Sequence, residues 1–343
     1  MGVFTNYLEK LGSNFLVAAM VPSLALVVAC IFVFDPILQV AEAFTNPTGT
    51  PQLVSFGVVV FILTVIIGFT LTALNTFILK MFEGYVILPP VRFLYSKAKR
   101  IHQQKARRLK WRRDWLEYRI RTLESNGPYH GREAELRRLR KRHYIAAAKY
   151  NLNYPEEPRE VLPTRFGNTL KAAENYPGER YGFDGVMFWP RLIQVIPNEY
   201  KSNIDSVRNE LSFLVNMSVL SVFFSFLCVL AIFYTMLTVE GAGSDPAIYF
   251  RFLLDTLPFL ILALISLAIS RFFYEASIFS VGSFGLVVRS SFDLFRMDLL
   301  KKLHVPRPEN SIKEFSLWKE LNELIVLGGH SLTFTKIDYR KEE

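Results

Sequence analysis

LSFLVNMSVLSVFFSFLCVLAIFYTMLTV, residues 211–239, runs for 29 positions without a charged side chain. A helix rises about 1.5 Å per residue, so this run more than crosses the ~30 Å hydrocarbon core of a bilayer. Two other runs match it: Asn14–Phe34 is uncharged over 21 residues and Leu53–Leu79 over 27. A fourth run is interrupted at its start by Arg251 and Asp255, then continues uncharged for the 15 residues Thr256–Ser270. It is read as Ile248–Ser270, with Arg251 snorkelling to the interface. The sequence therefore predicts an all-α integral membrane protein, with transmembrane helices at about 14–34, 53–79, 211–237 and 248–270.

Composition fits this segregation. The 343 residues are 51% hydrophobic, with 30 Phe, yet carry a net charge of +9. Apolar runs in lipid and basic runs outside it reconcile the two. The distribution of cations sets the orientation, because Lys and Arg near span ends favour the cytoplasmic side. Residues 35–52 and 240–249 each hold two acids and no Lys or Arg. Residues 80–210 hold 27 of the 40 Lys and Arg against 15 acids, and another 11 cations follow Ser270. Both termini and a basic, helical domain are thus expected in the cytoplasm, with two short outer loops. If the source is bacterial, as the compact loops suggest, the membrane is the inner (plasma) membrane. No cleavable signal peptide is expected, because the first apolar run is long enough to span and lacks a small-residue cleavage site. Cys30 and Cys228 lie within apolar runs and read as small buried hydrophobes.

The expected division is residues 1–91, a first transmembrane hairpin; 92–154, a basic helical hairpin of coiled-coil type; 155–206, a linker and interfacial segment; 207–271, a second transmembrane hairpin; and 272–343, C-terminal helices and tail. The two halves echo each other. At an offset of 198, Phe15-Leu16-Val17 meets Phe213-Leu214-Val215, Ser23 meets Ser221 and Cys30 meets Cys228. A true duplication would place a pseudo-two-fold axis along the membrane normal.

Pro89-Pro90 should end the extension of the second span. Ser96–Ser125 then reads as a long basic helix, about 45 Å at 1.5 Å per residue. Asn126-Gly127-Pro128 signals a turn, and Arg132–Tyr150 a returning helix. The thin apolar stripe of this pair suggests packing against another part of the chain or a second subunit. Lys97, Lys99, Arg100, Arg107 and Arg108 form a juxtamembrane cluster suited to anionic headgroups. Trp111, Trp115 and Tyr118 could stack on bases, but no nucleic-acid module is recognisable, so nucleic acid is not an expected partner.

Beyond a Pro/Glu-rich linker, residues 155–163, Thr164 or Asn168 is expected to cap a short helix that ends at Pro177-Gly178. Phe183–Ile196 is apolar and aromatic but too short to span, which suits an interfacial segment or a wedge beneath the bundle. Arg165, Asn168, Glu174, Arg180, Tyr181 and Arg191 are the candidate ligand or gate surface of this region. Arg271–Leu303 continues helically, with Gly282 and Gly285 allowing close helix approach. Pro306 and Pro308 should end that helix. Ser311–Leu327 reads as an amphipathic helix with Ile312, Phe315, Trp318, Leu321 and Leu324 along one side. The last 16 residues read as a strand or loose tail.

Catalytic motifs are missing. There is no phosphate loop, no dinucleotide glycine motif and no nucleophile elbow. The five histidines lack metal-ligand spacing, so neither an enzyme, a cofactor nor a metal site is expected. Polar groups near the membrane are the better lead. Arg271 and Glu275 are one helical turn apart and can pair; with Asn75 and Asn216 they are the candidate pore or gate residues. Four spans make a thin bundle for a solute path within one subunit. The expected function is therefore a homo-oligomeric channel or pore with a cytoplasmic helical collar. The alternative is a membrane scaffold or sensor that recruits a cytoplasmic partner or anionic lipid. The layout looks like that of bestrophin-type channels in outline but shares no motif with them, and outline alone implies no function.

Overall fold

The computed structural model describes residues 16–38, 50–86, 92–125, 132–239 and 246–327. Several sequence expectations fall outside them: the middles of the two outer loops (residues 39–49 and 240–245), whose flanks are helical, Pro89-Pro90, the Asn126-Gly127-Pro128 turn and the C-terminal tail. The side chain of Arg251 is likewise outside the described set.

Every described element is helical. A π-helical turn, Leu16–Met20, leads into α1 (Val21–Leu38). Then come α2 (Thr50–Glu83), α3 (Arg92–Ser125), α4 (Glu133–Asn151), a 3-10 turn at Pro158–Glu160, α5 (Arg165–Tyr181), α6 (Gly185–Val195), α7 (Asn198–Val239), α8 (Pro246–Lys302) and α9 (Ser311–Leu327). Four of these helices are long and apolar enough to cross a membrane, over Leu16–Phe34, Gly57–Glu83, Asn198–Leu237 and Phe252–Lys302. Two compact units result: one comprises 1–79 and 205–280, the other 80–204 and 281–343.

In the first unit, small hydroxyl residues join the apolar helices. Ser218 Oγ donates to Ser270 O at 3.1 Å, Ser266 Oγ to Ser221 O at 2.6 Å, and Ser225 Oγ to Ala263 O at 3.1 Å. Rising numbers on α7 meet falling numbers on α8, so these stretches run antiparallel. Short side chains bring the backbones close, and each hydroxyl finds an acceptor that lipid cannot supply. Ser23 and Ser221, matched at the offset of 198, each donate to the carbonyl four residues back. Asn216 Nδ2 reaches Ala18 O at 2.7 Å, and the Phe34 ring lies 6.1–6.2 Å from those of Phe224 and Phe259.

The second unit has an interior like that of a water-soluble protein. Phe183, Phe188, Leu192, Phe292, Leu299, Leu300 and Trp318 are all within 2% of complete burial. The Trp318 ring lies 4.4 Å from Phe183 and perpendicular to Phe188 at 5.5 Å, favourable arrangements of ring quadrupoles. The short aromatic segment 183–196 therefore builds this core. Asp184 caps α6 by accepting from Val186 N and Met187 N at 2.8 and 3.0 Å. On α8, Gly285 lets α5 approach, since a Cβ there would sit 3.0 Å from Ala173 Cβ, whereas Gly282 faces open space.

Two expectations need correcting. α5 continues through Pro177-Gly178 and stops at Gly182, whose φ of 92° places it in the left-handed region, with its N–H bonded to the carbonyls of Pro177 and Gly178. Its last turn is held by Tyr176 and Tyr181, whose hydroxyls both donate to Asp293 on α8, at 2.9 and 2.5 Å. On α9 the apolar stripe is narrower than expected: Trp318 and Leu321 are buried, but Ile312 is 77% and Phe315 43% exposed. Three-residue steps fall short of the 3.6-residue turn, so a row of them winds around the helix. The buried face runs instead through Glu314, Leu317, Trp318, Leu321 and Ile325.

Candidate functional site

The helices α3 and α4 lie antiparallel, packed through Leu116, Ile120, Leu136, Leu139 and Ala146. Nearer the start of α3, Ala106 and Leu109 meet Tyr150, Tyr154 and Val161. The chain after α4 is strapped back onto α3. Arg113 grips Glu156 with two nitrogens at 3.1 and 3.2 Å, Lys110 joins at 2.6 Å, and the Arg113 guanidinium stacks on Tyr150 at 4.8 Å. Gln103 Nε2 also donates to Pro158 O at 3.3 Å. Burial alone would push the Glu156 carboxyl up, but the hydrogen bonds and charges of Arg113 and Lys110 outweigh it and hold it below the ordinary carboxylate value.

The strap leads to Thr164 and the start of α5. Thr164 Oγ accepts from Gly167 N at 2.9 Å, capping the helix, and donates to Phe82 O at 2.7 Å in the last turn of α2. Gly167 permits this approach: a Cβ there would stand 2.2 Å from Glu83 O. Asn168, 1% exposed, holds the strap closed. Its amide accepts from Leu162 N at 2.8 Å and donates to the carbonyls of Leu162 and Thr164 at 2.8 and 2.6 Å.

Between α3, the end of α4 and the start of α5 lies a cavity of about 470 Å³. From α3 come His102, Lys105, Arg108, Leu109 and Arg112; from α4 and the strap, Lys149, Asn153 and Tyr154; from α5, Arg165 and Thr169. Five cations therefore line it, and no acid does. Its floor is made of side chains fixed by packing: His102, Tyr154 and Thr169 are all at or below 9% exposure. His102 Nδ1 and Tyr154 Oη are hydrogen-bonded at 3.1 Å. Burial, reinforced by Lys105 and Arg165, pushes the His102 imidazole below its ordinary value, so it is neutral at pH 7. Burial pushes the Tyr154 phenol up. With α5 starting at Arg165, the positive end of its dipole adds to the field. A neutral imidazole, a phenol, an amide and five cations can receive an anion and orient it by hydrogen bonds.

Of the candidate ligand surface, only Arg165 lines this cavity. Glu174 lines an apolar cleft of about 230 Å³ with Trp189 and Phe292, where burial raises its carboxyl despite Lys171 at 3.6 Å. Tyr181 is held by Asp293, and Arg296 stacks on its ring at 4.2 Å. Arg180 is exposed, and Arg191, also exposed, donates to Met187 O at 2.8 Å. In the basic cluster, Arg108 lines the cavity. Lys97, Arg100 and Arg107 are exposed on α3, while Lys99 reaches Arg159 O at 3.5 Å. In the apolar helices, Arg271 and Glu275 form the expected ion pair, and Arg271 also lies over Tyr274 at 5.6 Å. Besides the Asn216 bond to Ala18, the side-chain oxygens of Asn75 and Asn216 are buried without a hydrogen-bond partner among the described residues.

Sequence reasoning missed Lys105, Arg112 and Lys149, although Lys105, Arg108 and Arg112 sit at i, i+3 and i+7 and so share one helix face. It also missed Arg289, which is 9% exposed and donates to Asn151 O and Ala172 O, both at 2.7 Å. Among the described residues no group of His, Cys, Asp and Glu is placed to hold a metal ion. No family model matches the chain, and no curated protein or solved structure matches it either.

Proposed function

We propose that this chain is a membrane-embedded receptor whose basic helical unit binds an anionic ligand on the cytoplasmic side. The observation that carries this reading is the cavity lined by Lys105, Arg108, Arg112, Lys149 and Arg165, with no acid in its lining. Holding like charges together is unfavourable unless a counter-charge enters, and elsewhere on α3 the cations Lys110 and Arg113 are answered by Glu156. The positive-inside bias puts this unit and both termini in the cytoplasm, and a bacterial source would make the membrane the inner one. The test is calorimetric titration of multivalent anions into the full-length protein in nanodiscs of neutral lipid. Saturable binding that is lost in Arg112→Gln and Arg165→Gln supports the reading; no binding overturns it.

A second reading, a homo-oligomeric channel with this unit as its collar, is favoured by the polar atoms in the apolar helices. The orphaned oxygens of Asn75 and Asn216 would gain partners across a subunit interface or in a hydrated path. At most 28% of each apolar stretch is buried within one chain, which leaves ample surface for neighbours. Particle mass in nanodiscs, followed by ion flux into liposomes with wild-type and Arg271→Gln/Glu275→Gln protein, decides it. A monomer without flux removes this reading. The receptor could also recruit a cytoplasmic protein partner.

A further inference from the structure

We infer that the ligand of the basic cavity is an organic or inorganic anion carrying at least two phosphoryl groups, either free in solution or as the headgroup of a lipid. This rests on the receptor reading above and names the chemistry of the same site. The first argument is charge. Lys105, Arg108, Arg112 and Lys149 face the space and no acid lines it, so a monovalent anion leaves most of their charge uncompensated. Two phosphoryl groups bring about three to four negative charges at pH 7, near what the cavity holds.

The second argument is geometry. Lys105 and Arg112 are seven residues apart on α3, about 10 Å along the helix axis. A single phosphoryl group covers only part of this row of cations, whereas two or more groups in line extend along it. A volume of about 470 Å³ falls within the ~300–1,000 Å³ of small-molecule pockets and exceeds what one inorganic ion fills.

Donor type is the third. Three of the cations, Arg108, Arg112 and Arg165, are guanidinium groups, whose planar forks match phosphoryl oxygens two bonds at a time. Tyr154 and the second amide N–H of Asn153 add neutral polar groups, the Thr169 hydroxyl being already engaged with Arg165 O at 3.1 Å, while Leu109 offers an apolar patch for a non-phosphoryl part.

The experiment uses full-length protein in phosphatidylcholine nanodiscs at fixed ionic strength, titrated with inorganic tripolyphosphate and, separately, with citrate. A parallel set of nanodiscs contains phosphatidylinositol bisphosphate. The expected result is saturable tripolyphosphate binding, at least roughly tenfold weaker in Arg112→Gln and in Arg165→Gln, one charged hydrogen bond being worth about that factor. Arg112→Lys, which keeps the charge, should retain part of the affinity. All of these side chains are exposed, and unchanged thermal unfolding of each variant establishes that it is folded. If the phosphoinositide discs block tripolyphosphate, the source is a lipid headgroup; if they do not, it is a soluble phosphate. Both outcomes support the inference. Citrate binding as tightly as tripolyphosphate, with the same dependence on Arg112 and Arg165, overturns the phosphoryl assignment and leaves the anion receptor standing. Absence of binding by any of the three, or binding indifferent to the substitutions, overturns both.

Discussion

The hydroxyl of Thr164 donates to the carbonyl of Phe82 at 2.7 Å while it accepts from the amide of Gly167 at 2.9 Å. One side chain thus finishes the last turn of α2 and begins the first turn of α5, the turn that carries Arg165. Thr164→Val keeps the shape and removes both bonds. Losing an N-cap costs roughly 1–2 kcal/mol, and orphaning the α2 carbonyl adds to it. Thermal unfolding in detergent should show a clear drop for Thr164→Val and little change for Thr164→Ser.

Asn168 offers a sharper test, because its amide is wholly engaged with backbone. Asn168→Leu leaves Leu162 N, Leu162 O and Thr164 O without their partner in a buried place. A loss of about 3 kcal/mol is expected from such orphaned groups. Proteolysis of the 155–165 strap should quicken in the same variant. A variant as stable and as resistant as wild type would show that the strap is held by something else.

Glu156 makes stability depend on pH with a definite sign. Its carboxyl is held below the ordinary value of 4.5, so the ionised form is favoured by folding. Its contribution is fully present above that value and disappears as pH falls through the lower folded-state value. The gap in unfolding temperature between wild type and Glu156→Gln should therefore be widest near neutrality and close in acid. A gap that stays constant down to pH 3 would remove the ion pairs with Lys110 and Arg113 as its cause.

How much of this was legible in the sequence varies with distance along the chain. The four apolar helices announce themselves because each needs only its own residues, and α3, α4 and α9 follow from periodicity in the same way. The end of α5 was misplaced because Pro177 is a strong local signal, while the contacts that carry the helix past it, Tyr176 and Tyr181 to Asp293, lie over a hundred residues away. The stripe on α9 was misread through assuming three-residue steps. The cavity is only half visible: Lys105, Arg108 and Arg112 share a face of α3, but Lys149 joins them through the packing of α4 on α3 and Arg165 through the strap. Asn168 looked like a surface ligand because a polar residue near a loop gives no sign of which backbone it will close upon.

His102 predicts how anion affinity should vary with pH. The imidazole is pushed down by burial and by Lys105 and Arg165, and its ring faces Tyr154. An anion in the cavity offsets those cations and raises the imidazole, so binding takes up a proton. Affinity should therefore carry a component that rises as pH is lowered toward the ordinary imidazole range, on top of the ligand's own titration. In His102→Gln that component should be missing. Calorimetry in two buffers of different ionisation heat reads the proton directly.

Orientation is tested by labelling. Single cysteines at Arg107 and at Ser244, in a protein lacking Cys30 and Cys228, should react with a membrane-impermeant maleimide from opposite sides of sealed vesicles. Labelling from the same side would reverse the reading of the basic residues as cytoplasmic.

The burial of the tryptophans has an optical consequence. Trp318 has no exposed surface, whereas Trp111 is 67% and Trp115 45% exposed on α3, the helix that carries Arg108 and Arg112. Emission should therefore have two components, a blue one from Trp318 with the half-buried Trp189 beside it and a red one from α3. Iodide, drawn to the basic face, should quench the red component more strongly than neutral acrylamide does. The blue component should respond only when the core itself comes apart, so one cuvette reports separately on the surface field and on folding.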